Sequence, residues 1–427
     1  YDTQLAIVEP VLRSVHDRAP DTVSAHAGFY GAGMCTLFFM LTSLVSPCVL
    51  GVLGSKYTLL LGSVLFTVHL ASFQYIHYLP YYITATGIGI GYALFCSGYG
   101  GYITEHSTKK TIERNSALTW ALATSCMIAG GGVLALTAQK PSQAIVANST
   151  TLIDDRLLNG NMHGAKTRSF RTYSDAEIKM VYGAFAGICI LGNLVYLLIP
   201  SKPVANSIAR SSGRKGVGFV DQMRKIYDTF TDARANLLTP LFLNIGLSTC
   251  FWVTVYPTTL IFSRALSGHI YLPALYMATL GLGEILMGLL IAVAAKHIKN
   301  FAQLPSLIIG SILFLIALVL ALLSTPPAAT NSPTIGTTPL LQPSPSIALV
   351  IALLLGMSDN SFNTSRTVLC ALVIPENIAE SLAESIIFFI APLMSMSVHF
   401  GVMAVFCLLS LIFYWRAAKS TRRAEKE

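Results

Sequence analysis

The sequence predicts an all-α, polytopic membrane protein, and two observations support that prediction. Of 427 residues, 53% are hydrophobic and only 11% are charged, whereas soluble domains carry about a quarter charged residues. So few charges cannot give a soluble fold a polar surface. In addition, the hydrophobic residues are gathered into runs of roughly 17–25 residues, the length of a helix that crosses the hydrocarbon core of a bilayer.

The apolar runs predict eleven complete membrane spans. They are 27–53, 57–73, 79–103, 115–137, 178–200, 237–262, 270–294, 302–323, 346–373, 380–398 and 399–415. The opening segment, YDTQLAIVEPVLRSV, is too short and polar to span alone. We expect it to be the outer end of a first helix that is truncated here, which gives about twelve helices. The spans are numbered with this truncated helix as the first, so 27–53 is the second span and 399–415 the twelfth.

The basic residues predict the orientation of these spans. Seven Lys and Arg lie in 201–236 and five in the tail 416–427, whereas 324–345 has none. Because cytosolic loops are enriched in basic residues, we expect both basic segments to be cytosolic, in a plasma or internal membrane. The opposite side then carries the loop 138–177, with a glycosylation acceptor at Asn148, and the Pro/Thr/Ser-rich stretch 325–346, expected to be flexible.

The linker 201–236 divides the chain into two parts of similar size. We predict an N-terminal half (1–200) and a C-terminal half (237–415) of six helices each, followed by a basic tail (416–427). Two six-helix halves joined by a cytosolic loop are the arrangement of major facilitator transporters. The net charge of +8 therefore reflects membrane topology, and no nucleic-acid partner is expected.

Two acidic residues lie deep inside predicted spans. Glu284, in the eighth span, and Asp359, in the tenth, each follow the outer end of their span by 13–14 residues, roughly 20 Å at 1.5 Å per residue. A charge near the bilayer centre costs about 2.5–3.5 kcal/mol on insertion scales, so such residues normally face protein or water. The small residues around Glu284 also favour close packing of helices.

The tenth span carries a polar face. Gly356, Asp359, Asn363 and Arg366 recur at the spacing of one helical face. Asp359 and Arg366 are two turns apart, so Asn363 is expected to relay hydrogen bonds between them. Three interpretations remain open: a structural network, a site for substrate or proton, and a gating latch.

A second acidic stripe begins after Pro375, where Glu376, Glu380 and Glu384 are spaced by four residues. It fits a solvated helix start, with a cytosolic gate formed by Glu380 and Glu384 as the alternative. A lone histidine such as His69 is more often hydrogen-bonded than a proton relay. The sequence shows no phosphate loop, nucleophile elbow, metal-ligand spacing or haem motif, so neither an enzyme nor a cofactor is expected.

Three motifs resemble the Unc-ninety-three-like family of the major facilitator superfamily. They are GYITEHSTKKTIERNSALTWAL (101–122), GLGEILMG (281–288) and GMSDNSFNT (356–364). The resemblance is strongest to the short major-facilitator-domain-containing members. It implies a major facilitator fold and two classes of function. One is transport of an unidentified small solute or ion, and the other is regulation or escort of a potassium channel or another membrane protein.

The chain departs from this family at two places. Phe95 and the Gly98–Tyr99 pair stand in the fourth span where relatives have a tryptophan and a glutamine, and Ile386 stands where they place a basic residue. Both changes are expected to remove polar groups from cavity-facing regions. The first hypothesis is a transporter in which Asp359 and Glu284 sense a proton or cation and Arg366 is a switchable partner; the second is a non-transporting regulator.

Overall fold

The computed structural model describes residues 1–108, 111–138, 170–202, 237–298, 301–370 and 377–424, with single residues between 204 and 236. These parts are helical, which confirms the predicted all-α class. The helices are α1 (Asp2–Arg18), α2 (Ala27–Ser43), α3 (Ser46–Leu53), α4 (Ser55–Ser72), α5 (Tyr78–Glu105), α6 (Ile112–Thr137), α7 (Asp175–Leu198), α8 (Thr239–Cys250), α9 (Tyr256–Phe262), α10 (Leu272–His297), α11 (Leu304–Ser324), α12 (Pro345–Cys370), α13 (Asn377–Ile390) and α14 (Met396–Ala424).

The helices pack as two bundles. In the N-terminal half α2 and α4 lie along α5, and α7 packs on α4; in the C-terminal half α10 and α11 flank α12, and α8 packs on α13 and α14. The seam between the halves is formed by α6 against α10 and by α2 against α13, with α1 packed on α9. We call the face carrying 19–26, 73–77 and 325–344 the outer face, following the predicted topology.

Membrane crossing is supported by length and composition. In the described part of the chain, seven helices are long and apolar enough to cross a membrane, and eight if one bent pair counts as a single span. The apolar surface of α7 is exposed, with Leu191, Leu194 and Leu198 among its exposed side chains. An apolar helix face of this kind is suited to lipid. The predicted half boundaries near 200 and 237 stay predictions.

The second predicted span, 27–53, is broken in the structure. Its two pieces, α2 and α3, meet at 64°. The cause is Pro47 in the first turn of α3, since proline has no N–H and disfavours a helical conformation in the residue before it. At the other end of α3, Gly54 adopts φ +77°, a left-handed conformation that glycine reaches without strain. It lets the chain turn back at once into α4.

The prediction that 325–346 is a flexible loop with no reason to pack is wrong. A short 3-10 turn, Pro327–Thr330, begins it, and the buried Thr330 hydroxyl donates to the Met394 carbonyl at 2.8 Å. The Thr334 N–H then donates to the Phe262 carbonyl at 2.9 Å. These bonds pair a carbonyl at the end of α9 and one in the α13–α14 connection, so 330–334 is attached to the C-terminal half.

Candidate functional site

The close crossing of α10 and α12 builds the site. A Cβ added at Gly356 would lie 2.0 Å from the Leu280 carbonyl oxygen, and one added at Gly283 would lie 2.4 Å from a carbonyl oxygen of α12. Such distances are too short for a real Cβ, so the two backbones approach this closely only with glycine at both positions. Glu284 follows Gly283 directly, and Asp359 lies about one turn beyond Gly356. The crossing therefore brings the two predicted acids together.

Asp359 is buried, and both of its carboxylate oxygens accept hydrogen bonds. The Trp252 indole N–H donates to Oδ1 at 3.0 Å. The Asn363 side-chain amide donates to Oδ2 at 2.8 Å and to the Asp359 main-chain carbonyl at 3.1 Å. Asn363 is thus placed as its helical face predicts. A buried carboxylate is held in place when each of its oxygens accepts a hydrogen bond.

Trp252 reaches Asp359 from an irregular turn. Residues Phe251–Val255 form a π-helical turn between α8 and α9. Pro257 explains the irregularity, because its ring would collide with the carbonyl four residues earlier and it has no N–H to donate. The Trp252 carbonyl accepts a hydrogen bond from the Tyr276 hydroxyl at 2.7 Å. The main-chain carbonyl of Trp252 is therefore hydrogen-bonded to α10, while its indole side chain is hydrogen-bonded to α12.

Glu284 differs from Asp359 in its hydrogen bonding. It is 4% exposed, and its Oε1 has no hydrogen-bond partner among the residues that the structure describes. Its carboxyl lies within charge–charge range of Asp359 and of Asp2, and beside the side chain of Thr124. Asp2 and Thr124 belong to the N-terminal half, so Glu284 stands at the seam while Asp359 is held within its own half.

Two other predicted residues lie on α12 and α13. Arg366 is half-buried on α12, toward its inner end. Glu384 is half-buried on α13, and its carbonyl accepts from the Cys250 thiol at 3.5 Å. The side chain of Glu380 and the whole of Asn148 lie outside the described residues, so the proposed inner gate and the glycosylation site stay predictions.

The outer half of the seam is closed. The buried Arg171, just before α7, donates to Glu177 at 2.8 Å, lies 4.6 Å from the Tyr173 ring centroid, and donates to the carbonyl of Ile270 in the C-terminal half. Further along the seam, the Ser385 hydroxyl donates to a carbonyl of α2 at 3.2 Å. We call Arg171, Glu177, Tyr173 and Ile270 the outer latch.

Sequence reasoning missed several residues of these networks. Trp252 lies in an apolar run, so nothing in the sequence indicated a polar contact. The aromatic residues before Pro257 were the available sign of an irregular turn. Glu9, buried in α1, accepts from the Phe29 N–H at 3.1 Å and from His26 at 3.1 Å. It thereby caps the start of α2 from a neighbouring helix, a role that anions favour. The acid within the apolar stretch LAIVEPVL was the available signal.

The chemistry available here is that of carboxyl groups and hydrogen-bond donors. In the part of the chain that the structure describes, no three His, Cys, Asp or Glu side chains are grouped as metal ligands. Glu284 and Asp359 form a buried acid pair in which one member is fixed and the other has an unengaged oxygen. Such a pair is able to take up or release a proton or to neutralise a cation.

Comparison with known proteins places the chain in a family. The sequence profile described as "Ion channel regulatory protein UNC-93" matches residues 19–415. The chain belongs to this family. Among UNC-93-like relatives, UNC93-like protein MFSD11 of Xenopus laevis is 24% identical over 379 residues, covering 83% of this chain and 78% of the relative. The protein of the same name from Xenopus tropicalis matches to the same extent.

Solved structures confirm the major facilitator fold for this UNC-93 family chain. A partially occluded, inward-open structure of the xylose transporter XylE from E. coli aligns with a TM-score of 0.59 at 13% identity, over 97% of this chain and 95% of that one. A mutant of the peptide transporter POT aligns with a TM-score of 0.58 at 10% identity, over 99% and 91%. At these identities the likeness concerns the fold alone.

Two of the positions expected to depart from the family pattern lie in different surroundings. The Phe95 ring packs within the N-terminal half, with its centroid 6.0 Å from that of Phe66 and 5.8 Å from that of Tyr196. Position 95 therefore faces α4 and α7 and not the seam, contrary to expectation. Ile386 is 51% exposed on α13.

Proposed function

We propose that this UNC-93 family chain is a secondary transporter that couples movement of a small solute to a proton or cation. The two halves alternate in exposing a central site to either side of the membrane. Glu284 is the coupling group, Asp359 is its fixed neighbour, and the outer latch holds the outer side closed. The proposal rests on the major facilitator fold and on the contrast between the two acids.

The observation that carries the proposal is the unengaged Oε1 of Glu284. A charged carboxylate is strongly disfavoured in a low-dielectric interior unless its oxygens are hydrogen-bonded or a cation lies beside it. Asp359 satisfies that requirement through Trp252 and Asn363, whereas Glu284 meets it only in part. The position therefore favours a carboxyl that is neutral or neutralised by a bound cation.

Because Glu284 lies at the seam, a change in its charge affects the contact between the two halves. Glu284 lies on α10 and faces Asp2 and Thr124 of the other half. When Glu284 is neutral the two halves can stay in contact at this level. When it is charged, repulsion from Asp2 across the seam favours separation of the halves, and the nearby Asp359 adds to the need for hydration. The ion on Glu284 would thus shift the population between closed and open seams. One solved relative in fold is described as a proton:xylose symporter.

Transport is tested in proteoliposomes containing the full-length protein. Uptake of a panel of labelled sugars, dipeptides and alkali cations is measured with and without an inward pH gradient. For Glu284→Gln we expect gradient-driven accumulation to be lost while solute exchange persists, because the neutral amide mimics one state permanently. For Asp359→Asn we expect both to fall. Unchanged pH-driven flux in these variants would refute the roles assigned to them.

A second candidate function follows from the family's description as an ion channel regulatory protein. In this case the buried acids only stabilise the bundle, and the membrane-exposed surface binds another membrane protein. Co-expression with two-pore potassium channels tests it, with current and surface density measured for each channel. Altered current with co-purification supports regulation; no change in either, together with coupled flux, supports transport.

A further inference from the structure

Gln4 is a buried polar side chain inside the N-terminal half. It lies on α1 and is 1% exposed. Neither its Nε2 nor its Oε1 has a hydrogen-bond partner among the residues that the structure describes. Buried side-chain amides in proteins are bonded to protein or to ordered water in the large majority of cases. Both ends of this amide therefore need a small partner that accepts and donates.

A cavity beside Gln4 supplies the space. It is lined by Gln4 of α1, Cys35 of α2, His69 of α4 and Tyr81 of α5, among others, and by Tyr1 just before α1. The Tyr1 hydroxyl and the Cys35 thiol bond to each other at 2.9 Å. The cavity has room for about one water molecule, and its polar walls offer the two to four partners that a buried water requires.

His69, which lines the cavity, belongs to a hydrogen-bonded chain. His69 Nδ1 lies 3.3 Å from the Thr84 hydroxyl, which lies 3.1 Å from the Ser72 hydroxyl. Ser72 is the last residue of α4, at the outer face. A polar path therefore runs from the outer end of α4 through α5 to the cavity that Gln4 lines.

The lining residues select the ligand. No carboxylate, lysine or arginine lines the cavity, so neither a cation nor an anion would be neutralised there. An organic solute does not fit in a space of this size. Gln4 needs a partner that both donates and accepts, which water does.

We propose that this cavity binds a water molecule that hydrogen-bonds to the Gln4 amide and joins α1 to the His69–Thr84–Ser72 chain. The attachment matters because α1 packs on α2 of its own half and also on the π-helical turn and α9 of the other half. The bound water holds the region of α1 around Gln4 to α4 and α5. It keeps α1 with the N-terminal half when the halves separate.

The direct test is density in a cryo-EM reconstruction of the full-length protein in lipid nanodiscs, at a resolution that shows buried waters. We expect a single water peak within hydrogen-bond distance of the Gln4 amide. Absence of a peak there, while other buried waters are visible, overturns the proposal. A larger organic density does so as well.

Thermal unfolding of variants gives an independent test. Gln4→Met keeps the shape of the side chain but removes its hydrogen bonds. If water satisfies the amide, the melting temperature falls; if the amide is unsatisfied, removing it leaves the melting temperature unchanged or raises it, which overturns the proposal. Gln74→Met is the matched control, because Gln74 is exposed and donates to a carbonyl at 3.0 Å.

A double-variant cycle tests the link to His69. Gln4→Met combined with His69→Phe should lower the melting temperature by less than the sum of the single effects, because both variants remove the same water. Additive effects would show that the two side chains do not share it and would overturn the proposal.

Discussion

The indole N–H of Trp252 donates to Asp359 Oδ1 at 3.0 Å, and both groups are buried. The bond connects the irregular turn before Pro257 with the polar face of α12. It holds a deep acid in place without help from the other half. Asp359 is therefore held by its own bundle, whereas the neighbouring Glu284 keeps one carboxyl oxygen without a hydrogen-bond partner among the described residues.

Trp252→Phe removes this donor while keeping most of the ring. We expect the free energy of unfolding to fall by about 1.5–3 kcal/mol, the range for hydrogen bonds to charged groups. Differential scanning fluorimetry in detergent measures the shift. Trp415→Phe is the control, since Trp415 is 52% exposed and its replacement should have little effect. Equal shifts for the two variants would contradict the assigned bond.

Gly356→Ala places a methyl group against the Leu280 carbonyl oxygen. We expect a loss of about 1–3 kcal/mol from overpacking, together with a change at Glu284, since α10 must move away. Gly192→Ala provides the control, because a Cβ there has nothing within 4 Å and alanine favours a helix over glycine. Stability is measured by thermal unfolding. A Gly356→Ala protein as stable as wild type would refute the close crossing.

Breaking the outer latch should favour opening of the outer side. Arg171→Gln removes the charged donor that binds the Ile270 carbonyl across the seam, and a hydrogen bond to a charged group contributes about 1.5–3 kcal/mol. Pulsed EPR between labels at Tyr75 and Tyr271 measures the outer separation, on a background without native cysteines. We expect a population at longer distance.

The control for the latch is Arg13→Gln, which removes a more exposed pair with Asp17 on α1. Exposed helix pairs of this kind contribute about 0.3–0.5 kcal/mol, so the distance distribution should not change. If Arg171→Gln also leaves the distribution unchanged, the latch does not hold the seam.

The ordered outer segment predicts protection of a backbone amide. The Thr334 N–H donates to the Phe262 carbonyl at 2.9 Å, so its hydrogen exchange should be slow compared with that of a flexible loop. Thr330→Val removes the bond to the Met394 carbonyl and should speed exchange across 327–334. Exchange as fast as in an unfolded peptide, measured by mass spectrometry, would disagree with the fold.

The sequence was sufficient for the helical class, for the positions of most helices and for the two deep acids. Those features depend on composition and on spacing along one helix, which the chain displays directly. The glycines beside Glu284 and at 356 also indicated close packing. The interpretation of small residues as helix contacts is borne out by their backbone distances.

The remaining features depend on contacts between distant segments. Trp252 meets Asp359 across 107 positions of sequence, and Glu9 caps the start of another helix. The outer segment looked flexible because Pro, Thr and Ser dominate it, yet its backbone bonds to helix ends. No local pattern specifies such partners, because tertiary packing selects them.

The π-helical turn Phe251–Val255 also affects how the sequence is aligned with its relatives. A π turn bonds residues five apart instead of four, so it holds one more residue than a regular turn. Residues after Val255 are therefore rotated by about 100° from where a helical wheel begun at Thr239 would place them. An alignment with a relative that lacks this turn, run through the segment without a gap, would compare positions that face different neighbouring helices.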